Sequence, residues 1–343
     1  MLFDSCFRMK TILEERGPTR ASGDSKPAWK PRAHALQIQA ILVPLDFSRA
    51  SMQALKYAIP LAEGFHAAIH LVHVQPTDEL TAISRAGGLM LSCADSIALM
   101  QDRLDEVQRK QDVRFWPDNC HVTSGRPFEE ICKLAREIKA DLIVLPTRGH
   151  GRLKHVFLGS TAERVVRYAP CPVLIPRGAR FKTITWNGVT GATGLKVHKI
   201  LVPVDFSKCS LVGVKYAARL AKDAGATLRL FHAIFPYTQA LGLDRVGADL
   251  TPLTKTALAR AQAEMTELMG MSFLRGVRCE TEIRTGPVID EICGETSRDD
   301  IDLVVTSTHG RTGFKRALIG SVAEHVVRYA ECPVIIVPSR GRS

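Results

Sequence analysis

Two kinds of hydrophobic spacing alternate along this chain. Short unbroken apolar runs, such as Ile41 to Leu45, Leu142 to Leu145 and Val334 to Val337, alternate with stretches in which apolar residues return every three or four positions, as Ala50, Ala54, Leu55, Ala58 and Leu61 do. Unbroken runs of this length predict strands buried on both faces, and the wider spacing predicts one-sided helices. Strands are expected at Ile41 to Leu45, His70 to Val74, Cys120 to Thr123, Leu142 to Leu145 and Val173 to Ile175. Helices are expected after the first strand and over Gly88 to Val113, Pro127 to Ile138 and Thr161 to Tyr168. Strands separated by helical crossovers form a parallel sheet, and right-handed crossovers favour the doubly wound order 3-2-1-4-5.

The same series then runs a second time, from Ile200 to Val204 through Val334 to Val337. Ala40 to Ser48 reads AILVPLDFS and Lys199 to Ser207 reads KILVPVDFS; the segment ending in Gly159-Ser160 and YAPCPVLIP has its counterpart in Gly320-Ser321 and YAECPVIIVP. A repeat this long is a whole domain, not a solenoid unit. The expected organisation is a disordered tail over 1–36, a first domain over 37–178, a linker over 179–196 and a second domain over 197–343. The fold class is α/β: two five-stranded, doubly wound parallel sheets. Val173 to Ile175 and Val334 to Val337 are apolar edge strands, which invite aggregation unless covered. Pairing them antiparallel as an internal pseudo-dimer would remove both edges.

Composition narrows the class. The 343 residues are 45% hydrophobic, enough for two domain cores, and the apolar runs fall far short of the roughly 20 residues of a membrane-spanning helix. No membrane span is expected. The first 36 residues show neither apolar periodicity nor the continuous apolar core of a secretory signal. Nine cysteines without a Cys-x-x-Cys pair suit reduced thiols, and Cys171 and Cys332 read as small core residues. A net charge of +11 admits an acidic partner, yet the basic residues form no aromatic-interleaved stripe of the kind that reads nucleic acid.

In an open parallel sheet, ligands bind beyond the carboxyl ends of the strands where the strand order reverses, here between the first and fourth strands. After the first strand stands Asp46, or Asp205 in the second copy, placed to accept hydrogen bonds from ribose hydroxyls or to act as a turn or N-cap residue. After the fourth comes a polar loop, PTRGHGRLKHVFLGS or STHGRTGFKRALIGS. Gly149 and Gly310 permit close backbone approach, and Gly159-Ser160 and Gly320-Ser321 open the last helix, where free amides favour an anion. Ser160 and Ser321 also read as N-caps completing capping boxes with Glu163 and Glu324. Arg148, Arg152, Lys154 and His155 in the first loop, and His309, Arg311, Lys315 and Arg316 in the second, could neutralise phosphates. His70 and His73 lie three apart in a strand, hence on opposite faces, and no metal site is expected.

The V-P-x-D-F-S closing the first strand, the G-x9-G-S loop and the terminal C-P-V strand, all present twice, resemble the universal stress protein family in a tandem two-domain form, over residues 38 to 338. The resemblance implies an adenine nucleotide α-hydrolase-like fold, a cytoplasmic role in stress survival, and ATP as ligand in those members whose loop reads G-x2-G-x9-G-[ST]. Carried over, it assigns Asp46 and Asp205 to ribose, Val74 and Ala233 to the wall beside the base, and Gly149, Gly159, Ser160, Gly310, Gly320 and Ser321 to phosphates. The first glycine of that loop is replaced by Pro146 in copy one and by Ser307 in copy two. Proline has no amide hydrogen to donate, whereas serine keeps it. The second copy is therefore the expected nucleotide site.

Other functional classes lack their residues. The turn after the first strand holds aspartate where a dinucleotide-binding G-x-G-x-x-G would lie, and there is no Walker A loop and no G-x-S-x-G elbow. Any enzymatic activity reduces to slow ATP hydrolysis, without an evident general base. The alternatives are a nucleotide-binding regulator of the stress response, with an adenine nucleotide and an unidentified protein as partners and a homodimer as a further assembly, or an interaction scaffold that has lost the nucleotide.

Overall fold

The computed structural model describes residues 36–76, 93–110, 119–146, 159–177, 183–185, 194–235, 251–298, 300–308 and 320–339. The tail expected over 1–36 lies almost wholly outside them, as do Gly149, Gly310 and all the basic residues of the two glycine loops.

The first repeat is built from β1 (Ala40–Pro44), α1 (Arg49–Phe65), β2 (Ala68–Gln75), α2 (Cys93–Lys110), β3 (Cys120–Ser124), α3 (Pro127–Glu137), β4 (Leu142–Val144), α4 (Ser160–Tyr168) and β5 (Val173–Ile175). Two short strands follow, β6 (Thr183–Thr185) and β7 (Gly194–Lys196), paired in parallel. The linker expected there thus contains regular structure that its Gly- and Thr-rich sequence, without apolar period, did not signal. A three-residue ladder needs only backbone partners.

The second repeat comprises β8 (Lys199–Pro203), α5 (Lys208–Ala224), β9 (Thr227–Ile234), α6 (Thr251–Met269), a short 3₁₀ turn, β10 (Arg278–Thr285), α7 (Val288–Thr296), β11 (Leu303–Ser307), α8 (Ser321–Tyr329) and β12 (Val334–Val337). Among the described residues no helix is long and apolar enough to cross a membrane.

Each repeat has the order 3-2-1-4-5, and the two join into one ten-stranded sheet, β10-β9-β8-β11-β12-β5-β4-β1-β2-β3. Every pair is parallel except the central one, where β5 and β12 run antiparallel with Ile335 opposite Leu174. This is the expected pseudo-dimer contact, and it covers both apolar edges. The central strands are buried throughout; Ile41 and Val43 face one layer and Leu42 the other. The apolar cluster on each face of the sheet draws on both repeats. Cys132, Cys171 and Cys332 are buried core residues, and burial raises the thiols of Cys132 to about 11 and Cys332 to about 12, which suppresses the reactive thiolate.

The two repeats differ at the end of the fourth strand. β11 continues to Ser307, which pairs with Val337, whereas β4 stops at Val144, two residues before Pro146. The amides of β4 that donate toward β5 are those of Ile143 and Leu145, and the last such donor of β11 toward β12 is Thr308, so Pro146 and Ser307 stand at a position whose amide the ladder does not use.

Candidate functional site

The turn after the first strand is built identically in both repeats. The Ser48 amide donates to Asp46 Oδ1 at 2.9 Å, and the Ser207 amide donates to Asp205 Oδ1 at 3.0 Å. Each aspartate therefore closes a side-chain turn. The N-caps are the serines, whose hydroxyls accept from the amides of Ser51 at 3.2 Å and Ser210 at 3.1 Å. Between aspartate and serine, Phe47 and Phe206 take the left-handed backbone (φ 58° and 63°), which tilts the turn and costs a bulky residue some energy. Packing offsets that cost: Phe47 lies 5.0 Å from His73 and Phe206 lies 4.6 Å from His232, between ring centroids.

Each histidine in turn holds the backbone of the turn. His73 Nδ1 lies 2.8 Å from the Leu45 carbonyl and His232 Nδ1 2.7 Å from that of Val204. A carbonyl only accepts, so Nδ1 carries the proton in both. The Asp-Phe-Ser run with a histidine on the next strand is a positioning unit whose Phe and His were not among the expected site residues. The duplication of both in the two copies was its signal.

At the other wall the structure corrects an expectation. Ser160 and Ser321 are not the helix caps. The carbonyls of Gly159 and Gly320 accept the first helical hydrogen bonds, from Glu163 at 2.9 Å and Glu324 at 3.0 Å, so the glycines are N-caps and the serines open the helix. That register puts each glutamate one place too far along for a capping box. Instead Glu163 and Glu324 pair with Arg167 at 2.7 Å and Arg328 at 2.6 Å, one turn on. Glycine at the cap leaves the first-turn amides without a side-chain acceptor from that residue.

In the second repeat these parts enclose a cavity of about 510 Å³ at the carboxyl ends of β8, β9 and β11. Asp205, Ala233, Ser307, Gly320 and Ser321 all line it, brought together from four separate segments. The Gly320 amide donates to the Thr308 carbonyl at 2.8 Å, tying the start of α8 to the end of β11. Gly213 of α5 faces the end of β11, where a Cβ would meet the Ser307 nitrogen at an ordinary contact distance of 3.6 Å. The remaining lining mixes apolar side chains, Phe231, Phe235 and Val288 and Ile292 from α7, with His232, Thr306 and the Arg260–Glu264 pair. Phe235 and Arg260 were not among the expected site residues.

In the first repeat Asp46, Val74, Gly159 and Ser160 occupy the corresponding places on β1, β2 and α4. There α2 sends Arg103 over the Phe47 ring, 4.1 Å from its centroid. Gly149 and Gly310 lie outside the described residues. Among the described residues no group of three or more His, Cys, Asp or Glu side chains is arranged to hold a metal.

A second polar constellation lies on the sheet face toward α7. The carboxylate of Glu295, completely buried, is held by Arg229, by Arg284 at 3.1 Å and by Arg298 at 3.1 Å. Lys199 pairs with Glu280 at 3.1 Å and Asp300 at 2.8 Å, and its hydrogen bonds hold both carboxyls below their ordinary values. At the corresponding places in the first repeat, His70 Nδ1 lies 3.3 Å from His121 Nε2 with the rings stacked.

These two repeats, with a switch-point cavity between a carboxylate turn and a glycine-capped helix in the second, define a doubly wound α/β fold in tandem. The model of the universal stress protein family matches residues 37–177 and again 196–338, and the chain belongs to that family. It is 34% identical over 135 residues to a universal stress protein of Methanocaldococcus jannaschii, covering 39% of this chain and 79% of that one. A Mycolicibacterium smegmatis universal stress protein is 25% identical over 309 residues, or 88% of this chain and 97% of its own. The crystal structure of a universal stress protein from Archaeoglobus fulgidus shares the fold with a TM-score of 0.59 at 21% identity, covering 90% of this chain and all of that one.

Proposed function

We propose that this protein is a stress-response regulator that binds an adenine nucleotide, ATP, in its second domain. The observation that carries this reading is the cavity lined together by Asp205, Ala233, Ser307, Gly320 and Ser321. Its volume falls within the range of small-molecule sites, and it combines an apolar wall with a few convergent polar groups, as such sites do. Asp205 would take the ribose hydroxyls, with its carboxylate already aimed by the Ser207 amide. The amides opening α8, and Gly310 in the preceding loop, would take the phosphates, where the helix dipole favours negative charge.

The first domain fits the scaffold role better. Pro146 removes an amide donor that Ser307 keeps, and one missing charge-assisted hydrogen bond costs about 1.5 to 3 kcal/mol, or roughly ten- to a hundredfold in affinity. Occupancy of one domain would then alter how the tandem presents the other to a protein partner.

Mass spectrometry of natively purified protein tests for co-purifying ATP. Calorimetric titration of ATP into Gly320→Val and Gly159→Val tests which domain binds. A β-branched side chain at the helix cap blocks the approach of phosphates, so loss in Gly320→Val alone is the expected result. Equal loss in both variants would mean that the domains bind alike, and absence of binding by the parent would leave the scaffold reading for both.

A further inference from the structure

One wall of the second-domain cavity differs from its counterpart in a way that bears on what it holds. Phe231, Ala233 and Phe235 alternate along β9 and just past its end, so they lie on one side of the strand and all three line the cavity. Phe231 is fully buried, while Phe235 is 45% exposed, one of few large apolar side chains left so open among the described residues. Ala233 separates them, about 6.6 Å along the strand from either neighbour. The result is a recess with an aromatic floor at one end, an aromatic rim at the other and a methyl group between. Two more alanines, Ala257 and Ala261 of α6, add no bulk to the lining. The first repeat reads Val72, Val74 and Pro76 in these places, with no aromatic ring and with a β-branched residue in the gap.

We infer that Phe235 is a specificity-determining residue that stacks on the heterocycle of the ligand, selecting a purine over a pyrimidine nucleotide. The inference rests on the nucleotide reading of this cavity and adds to it the group that chooses the base. An exposed phenylalanine at the mouth of a cavity gains apolar contact when a flat ring covers it, and offset stacking adds to that gain. The small Ala233 leaves the thickness that such a ring requires. Asp205 and the first turn of α8 address parts shared by all nucleoside triphosphates, so they do not distinguish bases.

The test is calorimetric titration of the full chain with ATP and with UTP, in the parent and in Phe235→Ala and Phe235→Leu. Stacking of this kind is expected to make the parent prefer ATP by about tenfold, and both variants should bring the ratio of the two affinities to about twofold or less. Leucine keeps apolar area but not the ring, so a merely structural contribution would survive in it. A parent that binds the two nucleotides alike overturns the inference. So does a ratio unchanged in Phe235→Ala, or ATP and UTP weakened equally; in all three cases nucleotide binding still stands. A parent that binds neither nucleotide overturns the nucleotide reading and this inference with it.

Discussion

Ile335 of β12 stands opposite Leu174 of β5 in the one antiparallel pairing of the ten-stranded sheet. Both side chains are buried in the apolar layer shared by the two repeats. The join between the domains is therefore made of core, and its loss should be felt on both sides.

Leu174→Ala removes a side chain that is 1% exposed and is expected to destabilise the protein by about 2 to 5 kcal/mol, as large-to-small core substitutions do. Urea unfolding measures the loss. Hydrogen exchange should show faster opening in β12 as well as β5; protection lost from β5 alone would mean that the domains are held together elsewhere.

Ser307 and Pro146 make a reciprocal pair. Ser307→Pro is expected to weaken ATP binding by about tenfold or more through the loss of one amide donor, and Pro146→Ser to raise whatever affinity the first domain has. Titration of ATP into each variant decides. An unaffected Ser307→Pro would show that this amide does not meet the ligand.

Glu295 is buried among three arginines. Glu295→Ala removes the buried carboxylate that the three arginines share, while Arg229 keeps Glu280 and Arg284 keeps Glu291, so it should cost about 1.5 to 3 kcal/mol by chemical denaturation. The first repeat places Leu134 at the corresponding point of α3, with His70 and His121 in place of Arg229 and Glu282, and needs no such carboxylate. Truncating Leu134 should show only the ordinary cost of an apolar side chain.

His70 and His121 give the first repeat a pH dependence. Burial first, and then His121 beside it, lower His70 from 6.5 to about 4; burial also lowers His121, against the pull of Glu137. The unfolded chain therefore binds more protons than the folded one below the ordinary histidine range. Stability is fully present above pH 6.5 and falls as the pH drops from 6.5 toward 4. Denaturation of the parent and of His70→Gln across this range should show a shallower fall in the variant, and parallel curves would remove His70 as the cause.

Much of this was legible in the sequence because it depends on period and repetition. Unbroken apolar runs marked the strands, the helical crossovers dictated the order 3-2-1-4-5, and the bare apolar edges Val173 to Ile175 and Val334 to Val337 called for each other. Asp46 and Asp205 each stood at a switch point because the topology of each repeat has only one. The caps were less legible: Gly159 and Ser160 are adjacent, and which one ends the loop depends on where the first helical carbonyl accepts its hydrogen bond, a matter of a single residue of register. The pairing of β6 with β7 carried no apolar pattern to read.

The sequence by itself determined the duplication, the class of fold and the place of Asp46 and Asp205 after the first strand of each repeat, since local period and strand connectivity leave few alternatives. The tertiary structure alone decided which side chains meet across segments far apart in the chain. It set Arg229 and Arg284 on Glu295, His232 on the carbonyl that precedes Asp205, and Phe235 on the rim of a cavity floored by Phe231. Such contacts depend on how strands align and helices pack, and no spacing along a single segment encodes them.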